Sequence, residues 1–260
     1  MWMFAGVSTA CFYPELLEKA LDYLVRHGVA NTEVFFNAPS ELEEPYVRRL
    51  AETARAGGTV IRSVHPFTSG LEPLLFFSSY RRRFEDGIEL YKRFFHAANL
   101  LGATILVFHG DRRGSAQPRR RYFDLFGELM EAGRRMGITV AQENVPRCAS
   151  WCPDFFREMA AYLPEARFVL DVKQVVRAQV SLEEMLAAMG RRLIHVHISD
   201  HRPEQDCLPI GEGDLDLAAL RRNLEGLDFR GSVLLELYRD NYAAYGQLLE
   251  SYRALERAFC

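Results

Sequence analysis

Six apolar runs in this sequence close on a side chain that can bind a metal ion or carry a proton. In chain order these are His65, His109, Glu143, Asp171, His197 and Glu236. Carboxylates and imidazoles are the ligands of hard and borderline divalent cations. A single charged residue at a strand end is commonly just the exit to solvent, but six in succession, all of ligand type, are not explained that way. Three carboxylates gathered without a counter-charge would repel, and some would have to stay protonated. A divalent cation removes that difficulty, so the pattern predicts a metal site if the six ends converge.

The elements that must position them are legible as alternating β-like and helical stretches. The β-runs are 3–9, 32–36, 59–65, 103–109, 138–143, 167–171, 193–199 and 232–237. The stretches between them have helical spacing: Tyr91, Phe94, Phe95, Ala98 and Leu101 recur on one face, as do Tyr245, Leu248, Leu249, Tyr252 and Leu255. Ser181 with Glu184 reads as a capping box, and Gly102, Gly137 and Gly231 fall where helices stop before the next strand. Eight strand–helix units in 260 residues have the size and period of a single (β/α)8 TIM barrel over residues 1–260, whose strand ends converge at the C-terminal mouth. A doubly wound open sheet is the competing architecture. It would carry a Gly-rich phosphate turn after an early strand, and VSTACFY is not one.

Composition narrows the function classes. The net charge of −3 supplies no polycationic face for nucleic acid. No apolar window of membrane-spanning length occurs, and the N-terminal MWMFAGVSTACFYP lacks a basic region, so it reads as the first strand. The five cysteines form no CxxC and are read as free thiols, which points to the cytoplasm. Arg81–Arg83 and Arg112–Arg113 follow the third and fourth strands, on the catalytic side, and read best as solvated surface. Lys173, beside Asp171, is a candidate for the pocket. GEGDLD reads as a turn into a helix, capped by Asp214 or Asp216. Glu33 starts its strand rather than ending it, and no role is assigned to it.

The order and strand-end placement of FHGD, AQENVP, FVLDVKQ, HVHISD, LPIGEGDLD and VLLELY resemble the sugar-phosphate isomerase/epimerase family of the xylose-isomerase-like TIM-barrel superfamily, which is related to the abasic-site endonucleases and has bacterial members. The resemblance covers nearly the whole chain. It implies one divalent metal (Mn, Mg, Co or Zn) held by Glu143, Asp171, His197 and Glu236. His65 and His109 match the positions that hold a second metal in the abasic-site enzymes and line the substrate pocket in the single-metal sugar enzymes. Two departures stand out. Gln174 replaces the histidine of Asp-x-x-His, and Cys207 replaces the histidine before Leu-Pro-Ile-Gly. Both missing histidines belong to the third zinc site of the endonucleases, so a trinuclear phosphodiesterase centre is not expected.

The chemistry so implied is chelation of a keto-sugar, phosphorylated or not, through its carbonyl and adjacent hydroxyl. Glu143 and Glu236 would move a proton through a metal-stabilised enediolate, giving epimerisation, isomerisation or, with loss of water, dehydration. His65, His109, Gln174 and Arg202 are the expected substrate-binding residues. His195 shares the face of His197 one layer deeper, as a hydrogen-bonded support. His201 lies in the following loop. Expected partners are a small-molecule sugar, with neither nucleic acid nor membrane, and a second copy of the chain is compatible. Two alternatives remain open at this stage. One is a dinuclear hydrolase or lyase using His65 and His109. The other is a sugar-binding barrel without turnover, for which Gln174, unable to titrate, is the reason.

Overall fold

The computed structural model describes residues 3–260, so Met1 and Trp2 of the expected first strand lie outside the described residues. Eight parallel strands close into a barrel: β1 (Phe4–Ser8), β2 (Asn31–Phe35), β3 (Val60–His65), β4 (Ile105–Phe108), β5 (Thr139–Glu143), β6 (Arg167–Asp171), β7 (Leu193–Ile198) and β10 (Ser232–Leu235), with β10 pairing both β7 and β1. Around it run α1 (Leu17–Arg26), α2 (Glu44–Ala56), α3 (Glu72–Phe76), α4 (Arg81–Leu101), α5 (Arg119–Arg135), α6 (Pro153–Tyr162), α7 (Val172–Ala178), α8 (Leu182–Met189), α9 (Leu217–Gly226) and α10 (Tyr245–Phe259). The fold is thus the single (β/α)8 barrel that the period predicted. Among the described residues no helix is long and apolar enough to cross a membrane.

Two cores hold it. The larger lies between the sheet and the helices. Tyr91, Phe94, Phe95 and Ala98 of α4 and Leu248, Leu249 and Leu255 of α10 are buried there, as their spacing required. The smaller lies inside the barrel, where Val107, Ala141 and Val169 pack together. Each precedes a candidate ligand by two residues (His109, Glu143 and Asp171), so each lies on the same inward face one layer deeper. The apolar plug therefore floors the polar site. Gly6 has a steric reason: a Cβ there would meet Asn31 O at 2.2 Å.

Two local readings are modified. Residues after β7 form an antiparallel hairpin, β8 (Asp200–Arg202) and β9 (Gln205–Leu208), which strand spacing did not reveal. The GEGDLD loop then wraps around buried Asp200, whose carboxylate accepts from the backbone N–H groups of His201, Gly211, Gly213 and Leu215 at 2.8–3.0 Å. Asp216, rather than Asp214, caps α9 by accepting from Ala219 N. At α8, Ser181 accepts from Glu184 N, but its hydroxyl donates to Glu183, so the cap is not the reciprocal box. All five cysteines are free thiols, four of them buried.

Candidate metal centre and active site

Successive strand ends deliver the side chains to one volume. Asp171 and His197 are direct partners in the β6–β7 register. Glu143 ends β5, and Glu236 follows β10, its N–H donating to Ile198 O at 3.0 Å. One ligand atom from each of Glu143, Asp171, His197 and Glu236 lies within 4.8 Å of the others. These are the four residues the family resemblance implied. His65 and His109 close the neighbouring side, and His65, His109 and Glu143 form a second convergent group. A cavity of about 400 Å³ opens over the cluster, lined by His65, His109, Gln174 and Lys173 among others.

Burial makes this charge set costly, and the costs show in the titrations. Burial, with the Glu143 and Glu236 carboxylates adding to it, pushes Asp171 up to about 6 against the pull of the Lys173 ammonium. Burial also opposes ionisation of Glu143, but His109 and His197 outweigh it and hold its pKa well below the usual range. Glu236 is likewise lowered, burial being overcome by Lys173 and His197. The Lys173 ammonium lies 2.9 Å from Glu236 Oε2 and 3.2 Å from Asp171 Oδ2, is 2 % exposed, and packs over the Tyr238 ring. Its burial works against the charge, and the two carboxylates more than restore it.

The imidazoles are ordered by what their second nitrogen touches. His197 Nδ1 lies 3.0 Å from Glu143 Oε1, while Nε2 faces Glu33 at 3.2 Å. Burial disfavours its charge, but Glu33 and Glu236 raise the pKa well above the ordinary value, so His197 stands as an imidazolium between two carboxylates. His65 Nδ1 donates to Pro66 O, which leaves Nε2 as an acceptor 3.0 Å from His109 Nε2. Burial, followed by the nearby His109, lowers His65 to about 4, consistent with a neutral ring. His109 Nε2 lies 2.6 Å from Glu143 Oε2, and Arg147 donates to its Nδ1 at 3.1 Å. Burial opposes a proton on His109 and Glu143 favours it, for a net rise. A donor at Nδ1 nevertheless requires that nitrogen bare, so we assign the neutral ring with its proton on Nε2, towards Glu143.

Glu33 is the residue that sequence reasoning missed. It is fully buried and lies 3.2–3.3 Å from the Nε2 atoms of His197 and His195 while accepting from the Ser8 and Ser63 hydroxyls. It sits two residues before the end of β2, hence one layer below the mouth, alongside Ser63 and His195. The one hint in the sequence was a carboxylate inside a strand, which needs partners; that His195 and His197 supply them shows only in the folded barrel. His195 is the supporting group expected of it, with burial keeping its pKa low.

Not every expected site residue joins the cluster. Gln174 lines the cavity and its N–H donates to Asp171 Oδ1 at 3.1 Å. Arg202 does not, because the hairpin carries it to an exposed position away from the cavity lining. Cys207 is buried with its sulfur accepting from Tyr238 N. Among the described residues Cys207 belongs to no convergent group of His, Cys, Asp and Glu side chains.

The donor set fits a divalent cation. Glu143 Oε2 and Asp171 Oδ2 are buried and make no well-formed hydrogen bond, although His109 Nε2 and Lys173 Nζ approach them at 2.6 and 3.2 Å, and a divalent cation in the space they share would satisfy both. His197 Nε2 is committed to Glu33, so Nδ1 is the nitrogen free to exchange its proton for an ion.

Comparison with known proteins agrees with this architecture. Residues 21–257 match the sequence profile of the family described as xylose isomerase-like TIM barrel. An uncharacterized protein of Mycobacterium leprae is 25% identical over 257 residues, covering 89% of this chain and 88% of its own. Among solved structures, a D-tagatose 3-epimerase-like protein superposes with a TM-score of 0.81 at 20% identity, covering 99% of this chain and 97% of its own. A D-psicose 3-epimerase superposes at 0.80 with 13% identity, covering 99% and 98%. At these identities the structural likeness speaks for the fold.

Proposed function

The chain belongs to the xylose isomerase-like TIM-barrel family, and on that footing we propose that it is a divalent-metal-dependent isomerase or epimerase of a keto-sugar or related polyol ketone. The observation that carries this reading is the pairing of Glu143 and Glu236 across one small cavity, with Asp171 and His197 between them. The epimerases among its structural neighbours support the choice of reaction class.

Glu143, Asp171, His197 and Glu236 would hold the ion. When bound, it would polarise the ketone carbonyl and acidify the neighbouring C–H. The remaining chemistry belongs to the side chains. The glutamates rise from β5 and β10, which are separated by β6 and β7 in the barrel, so they approach a bound substrate from different sides. One removes the proton from carbon. Return of a proton from the other inverts that centre, and return at the adjacent carbon isomerises the sugar. The second glutamate must be protonated at that moment. For Glu143 that proton comes from solvent, because neutral His109, whose Nε2 faces its Oε2 at 2.6 Å, cannot give up its one ring proton. Lys173 holds Glu236 ionised and so suits it to accept the proton. Gln174 is placed to hydrogen-bond substrate oxygen without titrating.

A second reading, a dinuclear centre, draws on the approach of His65 Nε2 and His109 Nε2 to Glu143 Oε2, at 3.9 and 2.6 Å. It would suit a hydrolase or lyase.

The test of the first reading is solvent-deuterium incorporation into a panel of ketoses by metal-supplemented protein, followed by NMR. Glu143→Gln and Glu236→Gln should each lower exchange by more than about a hundredfold, the scale of losing a general base, while cooperative unfolding is retained. Unimpaired exchange in both variants would refute it.

A further inference from the structure

A second cavity, about 780 Å³, adjoins the first, and Ser69 and Arg147 line both. Its wall carries three guanidinium groups: Arg83 in the first turn of α4, Arg112 in the loop after β4, and Arg147 at the junction. The sequence pattern assigned the first two to solvent. Neighbouring arginines do behave so: Arg81 pairs with Glu85 and Glu128, and Arg119 with Glu158. Among the described residues, Arg83, Arg112 and Arg147 have no carboxylate within ion-pair distance. Arg83 donates weakly to Ser78 Oγ at 3.4 Å, and Arg147 spends one donor on His109. The carboxylate of the wall, Asp111, is buried and accepts from Arg112 N at 2.9 Å.

The backbone adds to the same sign. α4 and α5, of 21 and 17 residues, both begin at this cavity, where Ser78 and Gln117 line it just ahead of them. Neither helix has a capping side chain or an acidic residue in its first turn. Two helix N-termini thus present uncompensated positive ends beside three arginines without acidic partners.

Building on the isomerase/epimerase reading, we propose that the second cavity is a subsite for an anionic group, phosphoryl or carboxylate, carried by the substrate whose ketone end occupies the first cavity. Guanidinium forks match both groups bidentately. Arg147, with four further donors beyond its bond to His109, holds the passage between the reacting end and the charged end. The substrate class is then a keto-sugar extended by an oxyanion rather than a small neutral ketose.

Calorimetric titration of the metal-loaded protein with inorganic phosphate, and separately with acetate, tests this. The variants are an Arg83→Ala/Arg112→Ala pair and the charge-conserving Arg83→Lys/Arg112→Lys pair, with folding checked by thermal melting. At least one anion should bind wild type, with Kd at least tenfold weaker in the alanine pair and largely retained in the lysine pair. The tighter anion identifies the group. The kcat/KM ratio for D-fructose 6-phosphate over D-fructose, where both are turned over, should fall at least tenfold in the alanine pair. Binding of neither anion, or equal affinity in wild type and the alanine pair, would overturn the subsite. Arginine-dependent anion binding without deuterium exchange into any ketose would instead leave the subsite standing and remove the catalytic reading.

Discussion

Glu72 offers a prediction whose size can be worked from the structure. It is 1 % exposed, and its Oε2 accepts from the backbone N–H groups of His109 and Gly110 at 3.0 and 2.6 Å, while Oε1 accepts from the Tyr91 hydroxyl at 2.7 Å. This side chain therefore straps down the end of β4, where His109 enters the site. Gly110 must be glycine there, since its φ is +92° and a Cβ would collide with the Tyr122 hydroxyl. Burial pushes the Glu72 carboxyl from 4.5 up to about 7, only partly offset by His109 and these hydrogen bonds. The folded state thus binds its proton more tightly than the unfolded chain. The associated stability is fully present below about pH 4.5 and is lost as pH rises through 7. Between about pH 5 and pH 8 the loss amounts to about 2.5 kcal/mol. Glu72→Gln keeps an oxygen that accepts from both backbone N–H groups and can donate to Tyr91, whose bond with Thr68 would reverse. It does not titrate. The variant should therefore gain about 2.5 kcal/mol on wild type between those two pH values, read as the change in their difference in urea-unfolding free energy. Subtracting the two proteins cancels the titrating groups that are not coupled to Glu72. A difference that stays constant within about 0.5 kcal/mol, inside the error of such extrapolations, would refute the account of Glu72 as a carboxylate held against its own burial.

Three further outcomes follow from the same geometry. Lys173→Met should tighten divalent-metal binding at least tenfold, measured by competition with a chelating dye, because a resident cation no longer shares Asp171 and Glu236; unchanged or weaker binding would contradict this. Glu33→Gln should cost about 3 kcal/mol of stability in urea unfolding, the scale of breaking a buried charge pair, since His195 and His197 both depend on that carboxylate; a loss below about 0.5 kcal/mol would contradict it. Arg202→Ala should leave KM for a turned-over ketose within about twofold, as expected for an exposed residue outside the cavity; a tenfold rise would return Arg202 to the site.

What was legible in the sequence is what local periodicity encodes. All eight strands were visible because their apolar runs are bounded by helical stretches, and the strand-end residues followed because a barrel sends its strand termini to one face. Glu33 was not legible as a site residue, because its partners, His195 and His197, are more than 160 positions away and one layer below the mouth. Arg202 was misplaced for a different reason. The hairpin that removes it from the cavity depends on pairing across a short turn and on Asp200 gathering four backbone N–H groups, neither of which shows in hydrophobic pattern. The partnerless state of Arg83, Arg112 and Arg147 is likewise a property of the assembled surface. In sequence they are indistinguishable from Arg81 and Arg119, which find carboxylates.

The central claim is that Glu143, Asp171, His197 and Glu236 hold one divalent ion. Metal titration of the chelator-treated protein, with elemental analysis of the dialysed product and Asp171→Asn in parallel, tests it most directly. The account predicts close to one ion per chain, with affinity falling at least a hundredfold in the variant. Close to two ions per chain, or one ion bound equally well without the Asp171 carboxylate, would contradict it.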